Sequence, residues 1–310
     1  MGAAAAWALS ARGADVTLYE QFEPGTERGS SHGRTRIFRL AYPDASWVEL
    51  AQEALAGWRE LERQSASELL GLHGLVELAS SPELTSRETL ASLGVEHLLL
   101  EPAVARALGV DVPSGWVALH QSDAGIVRSD LAIAAFLRDT PVERRRIESL
   151  DDLEADVVVV TAGAWVRKLV PDVPVRVTRE TIAYFRRGAG TMPSVVELNE
   201  ETRGHAMYAL HDPEHGVKAG VHNAGHEADP DVEEHADLLL VERIVDWVRS
   251  RLPDVDPEPV AAESCLYTMT ADESFVLERR GRVVVGSACS GHGFKFAPAV
   301  GRRLADLALG

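Results

Sequence analysis

The chain has 310 residues, 45% of them hydrophobic and 25% charged, a globular composition that argues against disorder. Its net charge of −17 disfavours nucleic acid or an anionic membrane as partner, so any anionic ligand needs a locally positive pocket. Two cysteines, Cys265 and Cys289, are too few for a disulfide framework or a cysteine-based zinc site, and no metal is expected. One bridge between them stays open, a reduced chain being the expectation. No apolar run approaches membrane-spanning length and no basic signal segment opens the chain, so a cytoplasmic location is expected.

The first element is an Ala-rich helix through Ala3–Leu9, ended by Gly13, and Asp15–Tyr19 then reads as a short buried strand closed by Glu20. Helix, glycine turn, strand and terminal acid form the second half of a dinucleotide-binding βαβ unit. In that unit the acid binds ribose hydroxyls and the helix N-terminus faces the pyrophosphate. Gly2 corresponds to the third glycine of G-x-G-x-x-G; the first strand and first two glycines are missing, so an incomplete unit is expected, from truncation or a late start codon. A plain αβ unit is the alternative.

A polar Gly/Ser-rich loop covers residues 25–33, followed by Arg34–Arg39. Ser46–Glu49 reads as a capping box opening a helix whose apolar face is Trp47, Leu50, Ala51, Ala54, Leu55, Trp58 and Leu61, its tryptophans taken as core. Short strands and helices alternate from Leu69 to Leu119, with Pro102 and Pro113 as breakers, and Ser129–Leu137 reads as a helix. Val157–Val160 is a fully buried strand of the parallel-sheet kind, turned by Thr161–Trp165 into a helix. Strands are expected around Val175–Phe185, Ala206–Leu210 and Val217–Val221. A long amphipathic helix is expected over Glu233–Leu252, then a buried strand Val283–Gly286 and a closing helix Pro298–Leu309.

Four stretches carry more specific information: Gly29–Arg39 (GSSHGRTRIFR), Val158–Trp165 (VVVTAGAW), Ser264–Phe275 (SCLYTMTADESF) and Ser290–Phe296 (SGHGFKF). In this order they resemble the monomeric sarcosine oxidase, N-methyltryptophan oxidase and pipecolate oxidase group of FAD enzymes, in the D-amino-acid oxidase superfamily. The resemblance implies an α/β fold: a glutathione-reductase-like FAD-binding domain, incomplete at its N-terminus, with a second α+β substrate domain built on a mixed sheet. The boundaries expected are 1–68, 120–170 and 260–310 for the FAD domain, and 69–119 and 171–259 for the substrate domain. It also implies a monomer.

What the resemblance implies for the site is residue by residue. Cys265 falls where relatives tether FAD covalently, and Arg39 and Lys295 where they grip the substrate carboxylate, a planar fork and a point charge. Thr35 and Arg36 lie beside the flavin ring. Gly291 and Gly293, with Phe294, let backbone approach it and aim a helix N-terminus at its developing negative charge. Lys218 corresponds to the lysine that promotes reaction with oxygen, His222 to a histidine near the substrate amine, and Tyr208 and Tyr267 to cavity-lining residues. Gly2, Glu20, Gly163 and Trp165 belong to the cofactor cradle, and Ile147 maps to the strand that contacts adenine, where the chain is shorter than its relatives. Taken alone, a lone cysteine is a small buried hydrophobe, a lysine on an alternating strand its solvated side, and the tyrosines packing. The expected activity is oxidation of a small secondary amino acid, N-methylated or cyclic, to an imine, with O2 reduced to H2O2. A non-covalent D-amino-acid or glycine oxidase, a dehydrogenase, and a degenerate relative that binds FAD poorly remain as alternatives.

Overall fold

The computed structural model describes residues 1–199, 205–287 and 289–310. Its largest sheet has nine strands. Arg176–Arg187 is central, flanked by Gly216–Val221 on one side and by the long strand Val255–Met269 on the other. From Gly216–Val221 the sheet continues through Met207–Asp212, Ser194–Leu198, Leu75–Ala79 and Val117–Gln121. All these pairs are antiparallel except Ser194–Leu198 with Leu75–Ala79, so the sheet is mixed.

Because side chains alternate across a strand, register decides which residues share a face. Tyr184 pairs with Lys218, Tyr208 with Gly220, Ile182 with Glu263 and Glu180 with Cys265. One face therefore carries Tyr208, Lys218, Tyr184, Glu263, Cys265 and Tyr267. The opposite face presents Ala183, Phe185, Ala209, Val217 and Ala219, packed on the helix Leu238–Arg251 through Ile244, Trp247 and Val248. A sheet covered by a helix on one face leaves its other face for a ligand.

Among the described residues three small sheets accompany it. Leu18–Glu20 pairs in parallel with Val142–Arg144; Val158–Val160 pairs in parallel with Val283–Ser287, which turns back to Val276–Arg280; Thr35–Phe38 pairs with Gly125–Arg128. The first helix, Gly2–Ser10, packs on the last, Ala297–Leu309, so closely that a Cβ at Gly301 would lie 2.4 Å from the Ala4 carbonyl oxygen.

Four local expectations change. The buried strand expected over Asp15–Tyr19 covers only Leu18–Glu20, all three residues half-buried. The helix Ala45–Ser65 is capped by Asp44, whose carboxylate accepts from the Ser46 backbone N–H at 2.8 Å, so the Ser46–Glu49 capping box does not form. Trp58 is fully buried, as expected of core, but Trp47 lines a cavity, its ring 4.8 Å from His292 and 4.7 Å from Phe275. The helix expected from Glu233 starts only at Leu238, where Asp237 caps it. The preceding residues are held instead as an extended strap: Glu233 pairs with Arg28 at 2.7 Å, Glu234 with His226 at 2.9 Å, and Asp231 with Lys168 and Trp165.

Candidate active site

A cavity of about 1550 Å3 opens against the polar face of the nine-stranded sheet. All the site residues read from the sequence line it, from Gly2 and Glu20 through Thr35, Arg36, Ile147, Gly163 and Trp165 to Gly291, Gly293 and Phe294. It exceeds the roughly 300–1,000 Å3 of a single small-ligand pocket, leaving room for a dinucleotide and a small substrate together.

At one end two cations converge on one aromatic ring. The Arg39 guanidinium lies 4.2 Å from the centre of the Tyr42 ring and the Lys295 ammonium 5.7 Å from it. Lys295 is buried and donates to the His292 carbonyl at 2.8 Å; burial, followed by the nearby Arg39 charge, holds its pKa well below the usual lysine range. Arg39 Nη1 sits 3.8 Å from Glu77, a fully buried carboxylate that accepts from the Ser86 N–H at 2.7 Å and the Ser86 hydroxyl at 2.9 Å. Trp58 fixes this end from below by donating its Nε1–H to the Lys295 carbonyl at 2.7 Å. The one carboxylate beside Arg39 is committed to Ser86, so an anion bound at this end would favour the protonated form of Lys295.

Lys218 and Arg36 supply positive charge elsewhere in the cavity. Lys218 is 4% exposed, and burial, then repulsion from Arg36, brings its pKa down to about 7. Arg36 folds back to donate to the carbonyls of Thr35, Ser30 and His32 at 2.7, 2.7 and 2.5 Å. Cys265 is buried as a free thiol, pushed up to about 11 by burial while Lys218 and Arg36 pull it down. Burial likewise raises the phenols of Tyr208 and Tyr267 above the usual tyrosine range.

His222 follows strand Gly216–Val221 and approaches Glu273 with Nε2 at 3.4 Å from the carboxylate; this contact lowers the Glu273 pKa. Glu273 has φ +61°, a left-handed conformation that costs a non-glycine residue about 1–3 kcal/mol and is held by its surroundings. Behind His222, the buried Glu180 accepts from the N–H groups of Ala224 and Gly225 at 2.9 and 2.8 Å. Gly225 is obligatory there, since an added Cβ would lie 1.9 Å from the Arg179 carbonyl oxygen. At Gly291, φ +70°, a Cβ would lie 2.3 Å from the Tyr267 ring and 2.5 Å from that of His222, so only glycine lets these two rings meet the backbone.

Sequence reasoning missed Tyr42, Glu77, Glu180, Glu273 and His292. One signal was available: Glu77 is a lone acid in a strand, Leu75–Ala79, whose five residues are all buried. The described residues contain no group of three or more His, Cys, Asp or Glu suited to a metal ion, and no helix long and apolar enough to cross a membrane.

The Thr35 hydroxyl is fully buried beside the cavity and has no hydrogen-bond partner, an orphan that a bound polar group would satisfy. With the glycine-permitted approach at Gly291 and the buried cations, the residues fit a flavin dinucleotide with an anionic substrate beside it. Fold and site together define a flavin-dependent oxidoreductase. Residues 1–307 match the family model described as DAO, FAD dependent oxidoreductase, and the chain belongs to this family.

Among curated relatives, the monomeric sarcosine oxidase of Streptomyces avermitilis is 31% identical, over 100% of this chain and 91% of the relative. The probable sarcosine oxidase of Arabidopsis thaliana is 30% identical, over 100% and 86%, and the N-methyl-L-tryptophan oxidase of Salmonella typhi 28%, over 100% and 92%. Among solved structures, the open form of NikD, an unusual amino acid oxidase essential for nikkomycin biosynthesis, superposes with a TM-score of 0.86 at 24% identity. It covers 99% of this chain and 91% of NikD. The chain thus has the fold of such oxidases, an α/β architecture with a mixed sheet over the cavity.

The low Lys218 pKa has a consequence for stability. From about pH 7 up to the ordinary lysine value of 10.5 the unfolded chain binds a proton that the folded chain does not, so this group makes stability rise with pH across that window. Thermal unfolding of the flavin-free protein followed against pH should show that gain, and Lys218→Met should reduce it. Parallel wild-type and variant curves would mean that Lys218 keeps its ordinary pKa.

Proposed function

We propose that the chain oxidises a small secondary amino acid, N-methylated or cyclic, to an imine and passes the electrons to dioxygen. The observation that carries this reading is the convergence of Arg39 and Lys295 on Tyr42, in the same cavity as the buried Lys218. The sarcosine oxidase and N-methyl-L-tryptophan oxidase names of its relatives support the substrate class.

Arg39 offers a fork and Lys295 a point charge to the substrate carboxylate, and the Tyr42 ring face holds both cations in place. With the carboxylate anchored, the amine end turns towards His222. Through Nε2 the Glu273 carboxylate orients that ring, so that His222 takes the ammonium proton and leaves the amine neutral. When bound, FAD accepts a hydride equivalent from the carbon beside nitrogen and delivers the electrons to dioxygen. Lys218, buried and with a pKa of about 7, stabilises in its protonated form the negative charge that develops on oxygen.

Cys265 is the residue we assign to a covalent tether to FAD, supported by its place on the cavity-facing side of its strand, where the Lys218 and Arg36 charges favour the thiolate. In this reading Glu20 reaches the ribose, and Gly2, Gly163, Trp165 and Ile147 line the rest of the dinucleotide path. The FAD domain comprises residues 1–68, 120–170 and 260–310 and the substrate domain 69–119 and 171–259, with strand Val255–Met269 crossing between them. The same reading makes the chain a monomer in the cytoplasm.

Arg39→Ala should weaken binding of an unreactive carboxylate analogue by about 2–5 kcal/mol, as for loss of one member of a buried charge pair. The analogue is followed by perturbation of the flavin spectrum. Unchanged affinity in both Arg39→Ala and Lys295→Met would move the carboxylate elsewhere. Acid precipitation tests the tether: yellow colour should stay with the wild-type pellet and pass to the supernatant in Cys265→Ser. Release of all flavin from the wild type would exclude a covalent bond.

A further inference from the structure

The oxygen half of the proposed reaction raises a question of protons. Dioxygen needs two electrons and two protons to leave as hydrogen peroxide. The hydride equivalent taken from the substrate carries both electrons and one proton; the second proton must come from solvent. Lys218, where that charge develops, is 4% exposed, and a cofactor filling the cavity it lines would cover it further.

One acidic side chain bridges the gap. Glu263 stands two residues before Cys265 on the same face of strand Val255–Met269, and its side chain is 41% exposed. The Tyr184 hydroxyl donates to Glu263 Oε2 at 3.0 Å, and His32 Nε2 lies 3.5 Å from the same oxygen. Tyr184 is the direct cross-strand partner of Lys218, with the ammonium 5.9 Å from its ring centre. Both Lys218 Nζ and the Tyr184 oxygen lie 3.5 Å from the point where a Cβ at Gly33 would stand. His32 is itself buried, and its Nδ1 faces the Gly29 carbonyl oxygen at 2.8 Å, so Nδ1 is the donor and Nε2 is left to exchange a proton with Glu263.

We propose that Glu263, acting through Tyr184 and His32, keeps the proton on Lys218 and links that buried ammonium to solvent. It is a positioning residue for a proton, and the proposal rests on the oxygen-reducing reading above. The other groups around Lys218 are unsuited to the task. Arg36 is a like charge, Cys265 is a buried neutral thiol, and Asp212, itself buried, is committed to the backbone N–H groups of Glu214 and His215. His215 lies against the Tyr184 ring, the two ring centres 4.8 Å apart and the planes tilted by 42°. In each turnover Lys218 gives its proton to the reduced oxygen and is reprotonated from the Glu263 side. The proton released at the substrate amine balances the one taken up.

Two measurements on Glu263→Gln test this. In flavin-free protein carrying 15N-lysine, the Lys218 resonance should titrate at a pKa lower than wild type by about half a unit or more, since an opposite charge is gone. In holoenzyme reduced anaerobically with dithionite, the pH profile of reoxidation by air should move to lower pH, with a several-fold slower rate above neutrality and a larger solvent deuterium effect. Glu263→Asp keeps the charge and should follow wild type in both, which separates charge from folding. An unshifted Lys218 titration, or reoxidation profiles that superimpose, overturns the proposal. Because dithionite replaces the amine and the titration needs no flavin, failure of an amine to reduce the wild type would reject the proposed substrate without touching this result.

Discussion

Lysine and arginine side chains are held by water with large hydration energies, and moving them into a protein interior is tolerated only where something replaces that water. Around one cavity this chain withdraws Arg36, Arg39, Lys218 and Lys295, although its net charge is −17. Each receives partial compensation. Arg36 has three carbonyl oxygens, Arg39 a tyrosine face and the edge of Glu77, Lys295 one carbonyl oxygen, and Lys218 the influence of Glu263. What remains is a positive potential that an anionic cofactor and a carboxylate substrate would satisfy. The rest of the molecule can be understood as the scaffold that holds these side chains around the cavity, Lys218 and Lys295 buried and Arg36 and Arg39 partly so.

Two devices do this. The first is sheet register: pairing Tyr184 with Lys218 and Glu180 with Cys265 places the chemistry-bearing side chains on one face, while the other face is sealed by Trp247 and its neighbours. The second is backbone proximity. Gly225 and Gly291 stand where no side chain fits, so the turn behind His222 and the loop before Lys295 close up on the Arg179 carbonyl and on the His222 and Tyr267 rings. Trp58 joins the devices by tying the core helix Ala45–Ser65 to the Lys295 carbonyl.

Much of this was legible before any coordinates. Motif order placed Arg39, Cys265 and Lys295 in one site because each lies in a distinctive local run, a strand resemblance added Lys218, and the structure lines one cavity with all four. Tyr42 and Glu263 were not legible, because their roles arise only when strands distant in sequence come into register or when two cations share a ring, and Glu77 offered only the signal of a lone acid in an apolar strand. Local signals also competed. Ser46 and Asp44 are both good helix caps, and the choice fell to Asp44, whose carboxylate captures the Ser46 N–H. Glu233 and Glu234 have helical propensity, but ion pairs to Arg28 and His226 hold them extended until Asp237. Trp47 has helical spacing suited to a core, and a cavity opening at His292 gives it a different neighbour.

The central claim is that a substrate carboxylate neutralises the Arg39–Lys295 pair and thereby aims the amine. It is tested most directly by anaerobic bleaching of the bound flavin, comparing an N-methyl amino acid with its methyl ester at equal concentration. The ester keeps the amine and the reacting carbon and removes only the negative charge. The account predicts that the free acid bleaches the flavin and that the ester does so about tenfold more slowly or worse, since each tenfold corresponds to about 1.4 kcal/mol of lost interaction. Equal or faster bleaching by the ester would contradict it.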